Sequence, residues 1–129
     1  MSKSGAQNIG IWGEAQSCAF LKRQGYRIAE TNFRTRRGEI DIIAYMASEG
    51  RFVLSFIEVK TRSSLFSLPE YATEAKKRQR IYRAAIEYCA LRGIDLDSVG
   101  IRFEHISLYI NRLHRRLHFQ KRLLPMVNC

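Results

Sequence analysis

Cysteine is sparse and scattered in this chain: Cys18, Cys89 and Cys129 are odd in number and far apart. No Cys-x-x-Cys spacing or Cys/His cluster points to zinc, and nothing points to a disulfide framework. Proline is limited to Pro69 and Pro125, and no low-complexity tract, internal repeat or interdomain linker is visible. The opening residues, Met1 to Asn8, lack the apolar core of a signal peptide, and no apolar run approaches membrane-spanning length. A reduced, soluble, cytoplasmic protein with no membrane partner is expected. Acidic residues are also in short supply, 12 Asp+Glu against 22 Lys+Arg, which leaves a formal charge of +10. Such an excess favours polyanionic partners through phosphate neutralisation and counterion release. Charge alone does not decide the matter, because many small proteins are basic without such a partner. At 129 residues the chain suits one domain, 1–129, with a real core. Flexible ends are expected at about 1–8 and 124–129.

What is present centres on two apolar segments, Gly38-Glu39-Ile40-Asp41-Ile42-Ile43-Ala44 and Phe56-Ile57-Glu58-Val59-Lys60-Thr61-Arg62. Both are rich in β-branched and aromatic residues and read as strands. The polar link Ala47-Ser48-Glu49-Gly50 makes them a hairpin. A four-residue loop pairs Met46 with Arg51, which sets Glu39 opposite Glu58 and Asp41 opposite Phe56. Alternation then puts Glu39, Asp41, Glu58 and Lys60 on one side of the sheet. Like charges held this close repel unless one is protonated or a cation lies between them. A divalent metal satisfies the pattern, with hard oxygen ligands and positions left for water and phosphate. An ion pair between Glu58 and Lys60, or a nearby arginine, satisfies it as well.

An acid opening one strand, followed one strand later by Glu-x-Lys, resembles the core of the restriction-endonuclease-like, or PD-(D/E)xK, nucleases. Gly13-Glu14, Gly25-Tyr26, Asn32-Phe33-Arg34 and Arg37-Gly38-Glu39-Ile40-Asp41 add a similarity to the YraN-like family of small bacterial proteins. That likeness runs from about Gly10 to Ile106, and the size and arrangement also resemble Holliday-junction resolvases. It implies an α/β fold, a mixed β-sheet of the restriction-endonuclease type flanked by helices.

The remaining chain fits that frame. A helix is expected over 9–24, with Trp12, Ala15 and Ala19 along its inner face, Ile11 and Cys18 beside them, and Gly25 ending it. A strand follows over 26–33, and then a basic turn carrying Arg34, Arg36 and Arg37, suited to phosphate oxygens. The equal alternative is a solvated turn whose charges balance Glu39. Beyond Arg62 a loop reaches Pro69, and a second helix begins at about Tyr71 or Thr73 and ends at Leu91. Its inner face is Ile81, Ala84, Ala85 and Tyr88. Its opening carries Lys76, Lys77 and Arg80, placed for phosphate contact; the family likeness includes a lysine here without deciding between Lys76 and Lys77. Residues 101–110 form a further strand. Residues 113–123 are either a strand or a short helix, and His114 and His118, set among arginines, read as solvated.

The resemblance implies a metal-dependent endonuclease hydrolysing DNA phosphodiesters, with RNA not excluded. Asp41, Glu58 and the Val59 carbonyl would hold Mg²⁺ or Mn²⁺, Lys60 would orient the attacking water, and Glu14 would be an accessory acid. Arg34, Arg36, Arg37, Arg62, Lys76, Lys77 and Arg80 are the expected nucleic-acid contacts. The resolvase likeness suggests branched or structured DNA and a homodimer. The alternative is a binding module of the same fold that does not turn over alone.

Overall fold

The computed structural model describes residues 5–62, 74–111 and 113–124. The order is α1 (Gly5–Arg23), β1 (Arg27–Arg34), β2 (Glu39–Ser48), β3 (Arg51–Arg62), α2 (Glu74–Leu91), β4 (Val99–Asn111) and β5 (Arg116–Leu123). The strands form one five-stranded sheet in chain order. Every neighbouring pair is antiparallel except β3–β4, which is parallel and connected through α2. A parallel pair requires such a crossover, because a tight turn cannot return the chain to the same end. The result is the expected α/β architecture, a mixed sheet flanked by helices as in restriction-endonuclease-like domains.

The hairpin differs from expectation in its turn. Ser48 pairs with Arg51, so the loop is Glu49-Gly50 alone rather than four residues. Both turn residues have positive φ, 52° and 77°, the twist-matched geometry of a two-residue hairpin. Met46 therefore faces Val53, and the register moves by two. An even shift leaves the alternation unchanged along the paired stretch from Ile42 to Ser48, although Ile40, just before it, packs with Ile43 in one core. It does change neighbours: Ile43, not Asp41, faces Phe56, and beyond the last pair, Ile42 with Ile57, Asp41 accepts from the Val59 N–H.

Each sheet face has its own core. On the α2 side, Ile40, Ile43, Leu54 and Phe56 meet Ile81, Ala84, Ala85, Tyr88 and Cys89. The Tyr88 ring stands edge-on to Phe33 and Phe56 at 5.2 and 5.9 Å. On the α1 side, Leu21 and Tyr26 cover Ile42, Ala44, Ile57 and Ile106, with Cys18 packed beside them. Phe20 stacks on Phe119 of β5 at 4.5 Å. Among the described residues, no helix is long and apolar enough to cross a membrane.

Three further expectations need correction. Helix α1 starts at Gly5, so the supposed flexible start is helical from there; Ala6 and Gln7 favour helix and no proline interrupts them. Its buried stripe is Gly13, Ser17 and Leu21, whereas Trp12 and Ala15 are exposed. Small residues were needed where the helix presses closest, and a hydrophobic count overlooks them. At the other end, Leu124 is buried, and its N–H donates to the Phe103 carbonyl at 2.8 Å. Residues 113–123 resolve as a strand from Arg116. The expected loop over 63–69 and the α2 start at Tyr71 or Thr73 lie outside the described residues, as do 125–129.

Candidate active site

A cleft of about 460 Å³ opens between the sheet and the start of α2. Its walls include Glu39, Asp41, Glu58, Val59 and Lys60 from the sheet and Lys76, Lys77 and Arg80 from the helix. Two glycines permit the approach of neighbouring elements. A Cβ on Gly38 would lie 2.0 Å from the Arg80 carbonyl oxygen, so the basic turn is seated directly on α2. A Cβ on Gly13 would lie 1.9 Å from Thr61 Oγ1, so α1 lies tightly on the end of β3 and brings Glu14 with it.

Asp41 lies part-buried at the floor of the sheet side of the cleft. The Val59 N–H donates to its Oδ2 at 2.8 Å. Burial pushes its carboxyl up to about 6; the Val59 bond and Lys77 oppose that rise, while Glu14 and Glu58 reinforce it. Glu14 itself is raised, chiefly by burial, against a hydrogen bond from Asn32. Asn32 has φ 54°, a left-handed conformation that asparagine tolerates. Lys77 forms an ion pair with Glu58. The ion-pair reading of Glu58 is thus realised with a helix lysine, and Lys77, not Lys76, is the lysine at the acid.

In metal-free protein that arrangement is expected to cost stability. A raised carboxylate pKa contributes stability below the unfolded value near 4 that is lost as pH climbs through about 6. Asp41→Asn keeps an acceptor for the Val59 N–H and carries no charge. In EDTA at pH 7 to 8 this variant is expected to be more stable than wild type by roughly 1–3 kcal/mol, with a shallower decline between pH 4 and 6. Urea unfolding across that range checks it; a destabilised Asp41→Asn protein would contradict it.

The remaining expected residues are spread around this centre. Glu39 is exposed on the cleft rim, 3.6 Å from Arg34. Arg37 reaches Glu87 at 3.9 Å, and Arg36 is exposed. Such surface pairs contribute little. Thr35 Oγ1 accepts from the Arg37 and Gly38 N–H groups at 3.1 Å each and so sets the shape of the basic turn. Arg62 ends β3, beside Tyr109 in the register. His118 lies 6.1 Å from the Tyr109 ring.

The sequence reading did not single out His105. The parallel register sets it next to Glu58, and it is 7% exposed. Its Nδ1 is 3.3 Å from Ser107 Oγ, and burial favours the neutral ring. Only the β3–β4 pairing reveals it, and that pairing depends on a long crossover. Glu104, by contrast, points to the opposite face, where it meets Tyr26, Ser55 and Lys121.

The donor set suits a hard divalent cation. Among the described residues, no three His, Cys, Asp or Glu side chains gather at one point. Two carboxylates are nonetheless what a magnesium site shared with a phosphate commonly takes from its protein. Asp41, pushed up by burial and by the charges of Glu14 and Glu58, is the group a cation would relieve most.

Comparison with known proteins places the chain. The pattern of the family described as "Uncharacterised protein family UPF0102" matches residues 13–108. A UPF0102 protein of Alkaliphilus metalliredigens is 38% identical over 120 residues, covering 92% of this chain and 96% of its own. One from Chlorobium phaeobacteroides is 41% identical over 106 residues, 81% of this chain and 79% of its own. One from Flavobacterium psychrophilum is 37% identical over 115 residues, 88% and 91%. The span of the match and these identities make the chain a member of the UPF0102 family.

Proposed function

We propose that this protein hydrolyses phosphodiester bonds of DNA in a divalent-metal-dependent reaction. The carrying observation is the convergence of Asp41 and Glu58, from adjoining strands, with Lys60 and Lys77 in one cleft beside a basic helix. Asp41, Glu58 and the Val59 carbonyl would hold Mg²⁺ or Mn²⁺, which supplies Lewis acidity toward water and the scissile phosphate. Lys60 lies on the same strand face as Glu58, two residues on, and offers a positive charge to the pentavalent phosphate. Lys77 holds the Glu58 carboxylate in place and neutralises it between turnovers. Lys76 and Arg80 line the same cleft and would contact phosphates flanking the cut. Glu14, on α1, acts on Asp41 through its charge and would help to orient water.

Supercoiled plasmid, linear duplex and a four-way junction, each with Mg²⁺ or EDTA, test the proposal. Metal-dependent nicking of at least one is expected, and the junction arm tests the substrate form that the resolvase likeness suggests. No cleavage of any substrate with Mg²⁺ or Mn²⁺ would overturn it. The Lys77–Glu58 pair favours a second reading, a binding module whose acid is permanently neutralised by the helix lysine. Such a module binds DNA equally with and without metal and cuts none.

A further inference from the structure

Lys77 serves both acids of the cleft. Its ammonium pairs with Glu58, and its charge opposes the rise of Asp41. The Glu58 side chain is 12% exposed and the Lys77 side chain 51%, so the lysine reaches from the surface to an acid with little water around it. Asp41 is held in place by the Val59 N–H on its Oδ2. Lys77 stands in the first turn of α2, one turn before Arg80, whose backbone is seated on Gly38. A move of Lys77 off Glu58 therefore needs only its flexible stem to rotate, with the helix left where it is. A divalent cation on Glu58 would meet that ammonium at close range. Two positive charges at one poorly hydrated carboxylate repel.

We infer that Lys77 is a counter-ion exchanged between Glu58 and a substrate phosphate, so that metal and phosphodiester enter the cleft with positive coupling. Lysine binds phosphate as a point charge, so its ammonium keeps an anionic partner throughout the exchange. Without a phosphate, a cation competes with an ammonium tethered beside the acid; with one, the ammonium is drawn away and the acid is released. Charge balance favours the same order. Lys60, Lys76, Lys77 and Arg80 line the cleft with Glu39, Asp41 and Glu58, so a dication added without an anion enlarges a positive excess. This coupling rests on the phosphodiesterase reading and adds the regulation of its site: the ion is held tightly only where substrate is present.

Mn²⁺ binding by the full chain, followed by electron paramagnetic resonance, tests the coupling. It is measured with and without a DNA duplex of phosphorothioate linkages, which keep the charge and resist cutting. The duplex should raise the Mn²⁺ affinity of wild type by about 5- to 150-fold, and by reciprocity Mn²⁺ should raise duplex affinity equally. Lys77→Met should bind Mn²⁺ more tightly than wild type without the duplex, by a similar factor, and gain little when it is added. Should Lys77→Met fail to fold, Lys77→Gln carries the same direction. Lys76→Met removes one charge from the same cleft at an exposed position and leaves the Glu58 pair in place. Without the duplex it should change Mn²⁺ affinity by less than about threefold. Unchanged or weaker Mn²⁺ binding in Lys77→Met, an equal gain in Lys76→Met, or no effect of the duplex on wild type would overturn the inference. Any of these results, with Mn²⁺ still bound and ordinary DNA still cut, leaves the nuclease reading intact. Mn²⁺ bound by none of the proteins, with or without the duplex, removes both.

Discussion

Asp41→Ala, Glu58→Ala and Lys60→Ala proteins are each expected to lose Mg²⁺-dependent nicking by about a hundred- to a thousandfold or more. Losses of that size follow when a group acting mainly on transition-state charge is removed. The three should fail differently. Asp41→Ala removes the desolvated carboxylate and also strands the Val59 N–H. Glu58→Ala removes one of the two carboxylates, and with it the Lys77 ion pair, so the cleft loses a ligand for the cation. Lys60→Ala should leave metal affinity nearly unchanged and lower turnover, because the lysine acts on the phosphate. Lys60→Arg should rescue little, since a planar fork does not reproduce a point charge. Glu39→Ala and Arg36→Ala, on exposed positions of the rim and turn, should change rates only a few-fold. Wild-type activity in all three alanine variants would remove the site assignment.

Glu104→Ala is the substitution expected to cost the fold most. The Glu104 side chain is 4% exposed and bonded to three partners. Tyr26 Oη and Ser55 Oγ each donate to Oε1 at 2.7 Å, and Lys121 Nζ lies 3.1 Å from Oε2. Burial opposes the charge, yet the bonds from Ser55, Tyr26 and Lys121 outweigh it and hold the carboxyl below its ordinary range. The network ties β5 to β4, β3 and the start of β1, and Lys121 also lies 4.7 Å from the Tyr26 ring centre. Removing one partner of such a buried set costs about 3–5 kcal/mol, a fall of roughly 10–20 °C in Tm for a domain of this size. Because the folded pKa is lowered, this stabilisation is present above the ordinary carboxylate range and fades as pH falls below it. Asp41 acts with the opposite sign. Thermal melts of wild type and Glu104→Ala at pH 7 and pH 3 check both size and direction: the difference should narrow in acid, and an unchanged Tm at pH 7 would contradict the account.

The architecture was legible because its signals are local. The 3.6-residue pattern of Ile81, Ala84, Ala85 and Tyr88 marks α2, and all four are buried. The period-2 pattern around Asp41 and Glu58 marks the hairpin, and its faces survive a register error of two. The exact turn was not legible from composition, since Ala47-Ser48-Glu49-Gly50 admits a four-residue loop as readily as the left-handed pair at Glu49 and Gly50. The inner face of α1 was missed for a related reason: Gly13 and Ser17 are buried because they are small, which no hydrophobicity pattern registers. Long-range partners were hidden most completely. Lys77 on Glu58, His105 beside it and Lys121 on Glu104 depend on where α2 lands and how β4 pairs with its neighbours.

The central claim is that Asp41 and Glu58 share one divalent ion. Its most direct measurement is anomalous diffraction from crystals grown with manganese and a short oligonucleotide. The account predicts a manganese peak within roughly 2.2 Å of oxygens from both carboxylates, with Lys77 drawn off Glu58. A cleft without such a peak at saturating manganese, Lys77 still bound to Glu58 and the oligonucleotide in place, would contradict it.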